Sequence, residues 1–176
     1  MILYTEQYIP MLTFEQMAIR LLVAIALGAI IGLEREVIGK DAGIRTTMLV
    51  SSGSAIFTMI ALTLPYIISA SVPNSLEDIL AHNSGFLGMA ANIVTGIGFL
   101  GAGIIIKDKE GAHVRGLTTA AAVWAAAAVG TLVGVGLTSF AAFAAILITS
   151  LLYVLRKMNL YQYVRPGHRP NHENGD

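Results

Sequence analysis

The chain has no cysteine and few charged residues for its length of 176. The missing cysteine excludes a disulfide scaffold. Soluble globular domains carry about a quarter charged residues, so a charged fraction of 12% excludes an ordinary soluble domain. The 11 Lys and Arg residues balance 11 Asp and Glu residues. The basic surface that nucleic-acid binding requires is therefore missing, and we expect no nucleic-acid partner.

The sequence is rich in long apolar runs. Hydrophobic residues make up 55% of the chain, and the mean hydropathy is +0.71. Runs without Asp, Glu, Lys or Arg cover 46–76, 79–106 and 116–155. A helix needs about 20 apolar residues to cross the hydrocarbon core of a bilayer. These continuous runs therefore predict helices embedded in a lipid bilayer, and the last run is long enough for two helices with a Gly-rich turn at 134–139.

The predicted fold is an all-α bundle of five transmembrane helices. The first span is the weakest, because Arg20 interrupts it, and the acidic residues Glu6 and Glu15 near it argue against a signal peptide. We expect a five-helix domain over 1–156 and a cytoplasmic tail over 157–176 that is interfacial or disordered. The expected helices cover about 14–33, 46–67, 86–106, 117–135 and 137–155.

The placement of Lys and Arg predicts the orientation. The loops 34–45 and 107–116 and the segment from Arg156 to the C-terminus together hold ten of the eleven basic residues, whereas the loops near 68–85 and 134–139 hold none. Because loops rich in Lys and Arg stay in the cytoplasm, we predict that the N-terminus lies outside and the C-terminus inside.

Glycine recurs at spacings that favour close helix packing. Gly28 and Gly32 form a GxxxG motif in the first helix, and Gly130 and Gly134 form another in the fourth. Small residues let transmembrane backbones approach closely. The third helix is denser still in glycine, which leaves two interpretations open: a tight bundle, or a locally unwound helix that lines a site. The glycines concerned are Gly96, Gly98, Gly101 and Gly103.

Polar side chains gather at the predicted cytoplasmic ends of the helices. They form either a solvated, charge-balanced turn or a cluster that pairs across the two loops through Lys107, Asp108 or Arg115. The Thr pairs at 46–47 and 118–119 are natural N-caps for the return helices, and a helix start beside Arg45 or Arg115 could bind an anion or a lipid phosphate. The candidate residues here are Glu34, Arg35, Asp41, Arg45, Thr46, Arg115, Thr118 and Thr119.

Two further polar residues lie inside apolar runs. Asn92 in the third span either bridges to a neighbouring helix or contacts a ligand, and we include it with Gly98 and Gly101 among the candidate site residues. Arg20 either snorkels to the outer interface or pairs with an acid, of which Glu15 is the nearest candidate.

The sequence contains no recognised catalytic motif, and its histidines lack the spacing of metal ligands. We therefore predict a protein that is not an enzyme and has no fixed cofactor.

Four linked motifs resemble those of the MgtC/SapB family over about residues 15–136. They are Gly28-x-x-x-Gly32-x-Glu34-Arg35, Ala42-Gly43-Ile44-Arg45-Thr46, the Gly-rich segment 96–103, and Val114-Arg115-Gly116-Leu117-Thr118-Thr119-Ala120-Ala121 with Trp124. The resemblance implies a small bacterial inner-membrane protein linked to growth in low magnesium, with Mg²⁺ as a substrate or a signal and not as a fixed cofactor. The best-known members also carry a C-terminal ACT-like domain, and we expect no regulation of that kind here.

Three functions stay open at this point. The first is a transporter of Mg²⁺ or another ion. The second is a regulator that binds another membrane protein; for some family members the F-type ATP synthase is the implied partner. The third is a module that binds lipid or anions. A homodimer or another homo-oligomer fits all three, since small-residue helix faces favour self-association.

Overall fold

A computed structural model describes residues 12–71, 85–107 and 114–158. It confirms the predicted all-α bundle of five helices. The helices are α1 (Phe14–Val37), α2 (Ile44–Ser71), α3 (Gly85–Ile104), α4 (Leu117–Val135) and α5 (Thr138–Lys157). Two short strands, β1 (Ile106–Lys107) and β2 (Val114–Arg115), pair antiparallel between α3 and α4.

The helix ends differ from the prediction mainly at the loops. α1 was expected to end near residue 33 but continues through Val37, and the chain then turns at Gly39 with φ of +65°. α3 was expected to reach residue 106 but ends at Ile104, because Ile106 pairs with Arg115 in the ladder. α4 ends at Val135 as predicted, and Gly136 follows with φ of +105°.

Four helices are long and apolar enough to cross a membrane, judged by length and composition. They are α1, the part of α2 from Ile44 to Leu64, α4 and α5. α3 has 20 residues, and its part from Gly88 to Ile104 is also apolar. The orientation stays a prediction, so we call the end of the bundle that carries the α1–α2 and α3–α4 loops the loop end.

The GxxxG motif of α1 packs directly on the backbone of α2. A methyl group at Gly28 would lie 2.6 Å from the carbonyl oxygen of Thr47 and 2.9 Å from Cβ of Ser51. A methyl group at Gly32 would collide with the side chain of Thr47 and lie 2.6 Å from Cα of Ile44. The two helices therefore approach as closely as glycine allows.

The GxxxG motif of α4 packs on another part of the same helix. A methyl group at Gly130 would collide with the carbonyl oxygen of Ser51, and one at Gly134 would lie 2.6 Å from Cβ of Thr58 and 2.8 Å from the oxygen of Ala55. Both motifs thus have the packing role expected from the sequence, and α2 is the helix that both of them contact.

The fifth helix covers the junction between α1 and α4. Ala141 and Ala145 on its inner face are fully buried in a cluster with Ala24 of α1 and Val133 of α4. Its other face exposes large apolar side chains suited to lipid: Phe140, Phe143, Ile146, Leu147 and Leu151.

Arg20 binds a backbone carbonyl group and not an acidic side chain. Its Nη1 donates a hydrogen bond of 2.7 Å to the carbonyl oxygen of Gly134, in the last turn of α4. A cation at a helix C-terminus satisfies a free carbonyl and interacts favourably with the helix dipole. Among the described residues Arg20 is therefore bound to this carbonyl and not to Glu15, and its position relative to the membrane interface stays a prediction.

The two loop regions have similar sequences, since each has a Gly-rich helix, a charged loop and a return helix with a Thr-Thr pair near its start. In the structure this likeness extends only part of the way along the helices. Gly28 faces Thr47 of α2, and Gly101 likewise faces Ala120 of α4. One turn further from the loop, however, Ser51 is fully buried in α2, whereas Trp124 of α4 is half exposed. The two helix pairs therefore resemble each other near the loops and diverge within the bundle.

We expect Gly130→Ala to destabilise the protein by about 1–3 kcal/mol, since the added methyl group overpacks the contact with α2. Gly98→Ala is the matched control, because a methyl group there meets nothing within 4 Å and alanine favours a helix. Thermal unfolding of both variants in detergent measures the difference. Equal melting temperatures for the two variants would contradict the glycine-dependent packing.

Candidate functional site

A buried arginine joins the two loop regions. Arg35 lies in the last turn of α1, and its side chain is 2% exposed. Its Nη2 donates a hydrogen bond of 2.9 Å to the hydroxyl oxygen of Thr119, in the first turn of α4. Two of the residues singled out from the sequence therefore meet across 84 positions of the chain.

Its neighbour Glu34 is buried as well and faces a second arginine. The Glu34 side chain is 5% exposed, and its Oε1 lies 3.8 Å from Nη1 of Arg156 in the last turn of α5. Arg156 also lies over the ring of Tyr153, 5.2 Å from its centroid. Its side chain remains 40% exposed, so it connects the buried carboxylate to the surface.

We call Glu34, Arg35, Thr119 and Arg156 the charge cluster. It is incompletely satisfied within the described part of the chain, because Oε2 of Glu34 and Nε of Arg35 find no hydrogen-bond partner there. The Glu34 oxygen lies 3.8 Å from Nη1 of Arg35, which is an ion-pair distance but too long for a hydrogen bond. Buried polar atoms normally find partners, so the cluster has capacity to bind one more polar group.

The loop between α1 and α2 is stabilised by Glu36, which is not among the candidate residues predicted from the sequence. Oε2 of Glu36 accepts a hydrogen bond of 3.0 Å from the N–H of Ile44, the first residue of α2. A methyl group at Gly43 would collide with that carboxylate. Since a carboxylate is stabilised at a helix N-terminus, Glu36 acts as the cap of α2 from the preceding helix.

The expected N-caps were wrong. Thr46 and Thr47 lie inside the first turns of α2, and the Thr47 hydroxyl donates back to the carbonyl oxygens of Gly43 and Ile44 at 3.1 Å. At α4 the N-cap position is Gly116, with φ of +86° and no side-chain hydrogen bond. Thr118 is exposed, and Thr119 is used as the acceptor for Arg35.

The remaining candidate residues do not join the charge cluster. Asp41, Arg45 and Arg115 are exposed, and no ion pair links them to one another or to the cluster among the described residues. Asp108, one of the expected partners, lies outside the described residues. The described residues show contacts from α1 to α4 and α5. The expected pairing through Lys107 or Asp108 falls on side chains outside the described part of the chain and stays a prediction.

The idea of an unwound third helix was also wrong. α3 is a continuous helix from Gly85 to Ile104. Gly98 is exposed with open space around it, and Gly101 makes an ordinary contact of 3.6 Å with Ala120. Asn92 is exposed, and no helix in the described part of the chain is bridged by its amide.

A line of buried hydroxyl groups on α2 was missed. Thr47, Ser51, Ser54 and Thr58 are all buried, at spacings of four, three and four residues. The Thr58 hydroxyl donates to the carbonyl oxygen of Ser54 at 2.7 Å, whereas Oγ of Ser51 has no partner among residues 12–71, 85–107 and 114–158. The helical spacing of these small polar residues was a signal available in the sequence.

Within residues 12–71, 85–107 and 114–158, no group of three His, Cys, Asp or Glu side chains could hold a metal ion. The tail beyond residue 158, the histidines of the C-terminus and the acidic pair at 77–78 lie outside the described residues.

These features define a class: a polytopic helical membrane protein with a buried charge cluster at the loop end of its bundle. A model of the MgtC family matches residues 21–161. The chain therefore belongs to the MgtC family, as the sequence motifs indicated.

Its relatives include proteins from several bacteria. Protein MgtC of Brucella abortus (strain 2308) is 42% identical over 77% of this chain and 49% of its own length. Protein MgtC of Salmonella typhimurium (strain LT2) is 41% identical over 79% of this chain and 52% of its own length. An uncharacterized Synechocystis protein, slr0014, is 36% identical over 88% of this chain and 58% of its own length. The chain thus spans about half the length of these curated relatives. No solved structure matches it.

We expect Thr119→Val to destabilise the bundle by about 1–3 kcal/mol, because it leaves a buried guanidinium nitrogen without its acceptor. Thr118→Val is the control. Thr118 is the exposed neighbour of Thr119, so this substitution should change the free energy of unfolding by less than about 0.5 kcal/mol. Thr119→Ser should restore most of the loss, because it returns the hydroxyl. Chemical unfolding in detergent measures all three, and equal effects of the two valine variants would contradict the Arg35 contact.

Proposed function

We propose that the chain is a regulator in bacterial magnesium homeostasis that lies in the inner membrane and acts by binding another membrane protein. Membership of the MgtC family supports the link to magnesium, and the bacterial sources of the relatives support the location. The alternatives left open by the sequence are a transporter and a module that binds lipid or anions.

The observation that carries the proposal is the tight packing of α1 and α4 on α2. Glycine-to-backbone contacts at Gly28, Gly32, Gly130 and Gly134 close the space between these helices. Mg²⁺ binds oxygen ligands and gives up its waters reluctantly, so a path for it needs room and acidic or carbonyl oxygens. Helices in direct backbone contact leave no room for an Mg²⁺ path between them. This packing supports a role in binding another membrane protein better than a role in conducting Mg²⁺.

The loop end offers a surface for a partner. The charge cluster fixes the ends of α1, α4 and α5 relative to one another, while Asp41, Arg45 and Arg115 stay exposed around it. Exposed charges on a rigid support give specificity and speed to association. A membrane complex such as the F-type ATP synthase is the partner class that the family resemblance suggests.

One observation favours transport as the second candidate. The hydroxyl groups of α2 form a polar line through the interior, and Ser51 within it has a buried oxygen atom without a partner. Such a line could supply oxygen ligands to a partly dehydrated ion if the helices separated. The two candidates make opposite predictions about ion flux.

We expect purified protein in proteoliposomes to carry no Mg²⁺ beyond empty vesicles, measured with an enclosed magnesium indicator. In cells lacking the chain, the wild type should restore growth at limiting magnesium, and the double variant Arg45→Ala with Arg115→Ala should fail because it removes the exposed partner-binding charges. Lys40→Ala removes another exposed loop charge outside the candidate set and should complement normally.

Mg²⁺ uptake that is lost in Ser51→Ala would replace the proposal with the transport candidate. Full growth of the double variant would overturn the loop end as the functional surface. Equal growth with and without the chain at limiting magnesium would overturn the link to magnesium itself. Capture of anionic lipid in place of a protein by the wild type, and not by the double variant, would favour the lipid-binding module.

A further inference from the structure

The charge cluster contains two buried polar atoms that no group in the described part of the chain satisfies. One is an acceptor, Oε2 of Glu34, and the other is a donor, Nε–H of Arg35. Their side chains are 5% and 2% exposed. An unpaired buried polar atom is costly, and most of all when it belongs to a charged group. A ligand that bonds to both atoms removes both costs at once.

The two atoms belong to consecutive residues, and this explains why they do not satisfy each other. Side chains at consecutive positions of a helix point in directions about 100° apart and do not face each other. Nη1 of Arg35 lies 3.8 Å from Oε2 of Glu34, which is longer than a hydrogen bond. The bond of 2.9 Å from Nη2 to Thr119 holds the guanidinium in this orientation.

The charges around the two atoms argue against an ion as the ligand. Guanidinium groups of Arg35 and Arg156 each lie 3.8 Å from the Glu34 carboxylate, and their positive charges repel a cation. A simple anion has no hydrogen to donate to Oε2 and is repelled by the carboxylate. A neutral ligand that donates one hydrogen bond and accepts another matches the site.

The burial of the site limits the ligand to very few atoms. Side chains that are 5% and 2% exposed leave no opening for a sugar or a phosphate group. Water is the smallest molecule that both donates and accepts, and buried water typically makes two to four hydrogen bonds to polar atoms that otherwise lack partners. Polar groups separated by more than about 3.5 Å are commonly bridged by water, and the separation here is 3.8 Å.

Arg156 gives the site a route to solvent. Its side chain is 40% exposed, and its Nη1 faces Oε1 of Glu34, the other oxygen of the same carboxylate. Arg35 lies only two residues before α1 ends at Val37. Water therefore reaches the site from the loop end without opening the glycine contacts deeper in the bundle.

We propose that the charge cluster binds an ordered water molecule, which accepts a hydrogen bond from Nε of Arg35 and donates one to Oε2 of Glu34. The water turns a buried ion pair at 3.8 Å into a bridged pair and reduces the desolvation cost that buried ion pairs carry. The site does not depend on partner binding through Arg45 and Arg115, so its test uses neither ion flux nor growth.

Solid-state NMR of the full chain in lipid bilayers detects such a water directly. With nitrogen-15 in arginine and valine, we expect magnetisation to pass from water protons to Nε–H of Arg35. Arg35→Lys identifies the resonance, because it removes it. The backbone N–H of Val123, a fully buried residue of α4, is the control. Transfer to Arg35 should be several-fold stronger than transfer to Val123 at the same mixing time.

A matched pair of lysine variants tests where the water lies. Both variants keep a positive charge beside Glu34, but only Arg35→Lys removes Nε, and the flexible ammonium group of lysine can bond to the carboxylate directly. In experimental structures that resolve ordered water, we expect a water within about 3.2 Å of Oε2 of Glu34 in the wild type and in Arg156→Lys. We expect none in Arg35→Lys.

Three results would overturn the proposal. The first is transfer from water to Nε of Arg35 that is no stronger than transfer to Val123. The second is a wild-type structure in which Nε of Arg35 bonds directly to Glu34, to another protein group or to a lipid. The third is a water that persists at Glu34 in Arg35→Lys or is lost in Arg156→Lys.

Discussion

The approach of α1 and α4 to the backbone of α2 is the constraint on which the rest of the bundle depends. In a bilayer no hydrophobic force holds helices together, so association depends on close van der Waals contact and on hydrogen bonds between helices. Four glycines supply the contact here, and each would force a shift of the backbone if it carried a side chain. The small hydroxyl residues on α2 fit the same requirement, since Ser and Thr add little bulk and can satisfy their polar atoms within their own helix.

The charge cluster follows from that packing. Arg35 reaches Thr119 only because α1 and α4 are both held against α2 at the loop end. Buried ion pairs are weak sources of stability, since desolvation offsets most of their attraction. The distances of 3.8 Å around Glu34 fit this view. The cluster is better understood as fixing the position of three helix ends than as the origin of the stability of the bundle.

Much of the fold could be predicted because its signals are local. Apolar runs gave the helices, paired glycines gave the packing motifs, and the Gly-rich turn gave the end of α4. The partners of the charged residues could not be predicted in the same way. Arg35 was identified as a candidate, but its contact with Thr119 joins residues 84 positions apart, and no spacing rule connects Glu34 to Arg156. Thr46 and Thr47 were misassigned as caps because Glu36, on the preceding helix, accepts the hydrogen bond at the N-terminus of α2. At α4 the N-cap position is Gly116.

The two arginines of α1 have a joint consequence. Arg20 is bound to the last turn of α4, and Arg35 is bound to its first turn. About 22 Å of helix separates them, at 1.5 Å per residue. α1 can slide along α4 or rotate against it only if one of these two hydrogen bonds breaks. We therefore expect α1 and α4 to tilt together as a pair when either helix is displaced.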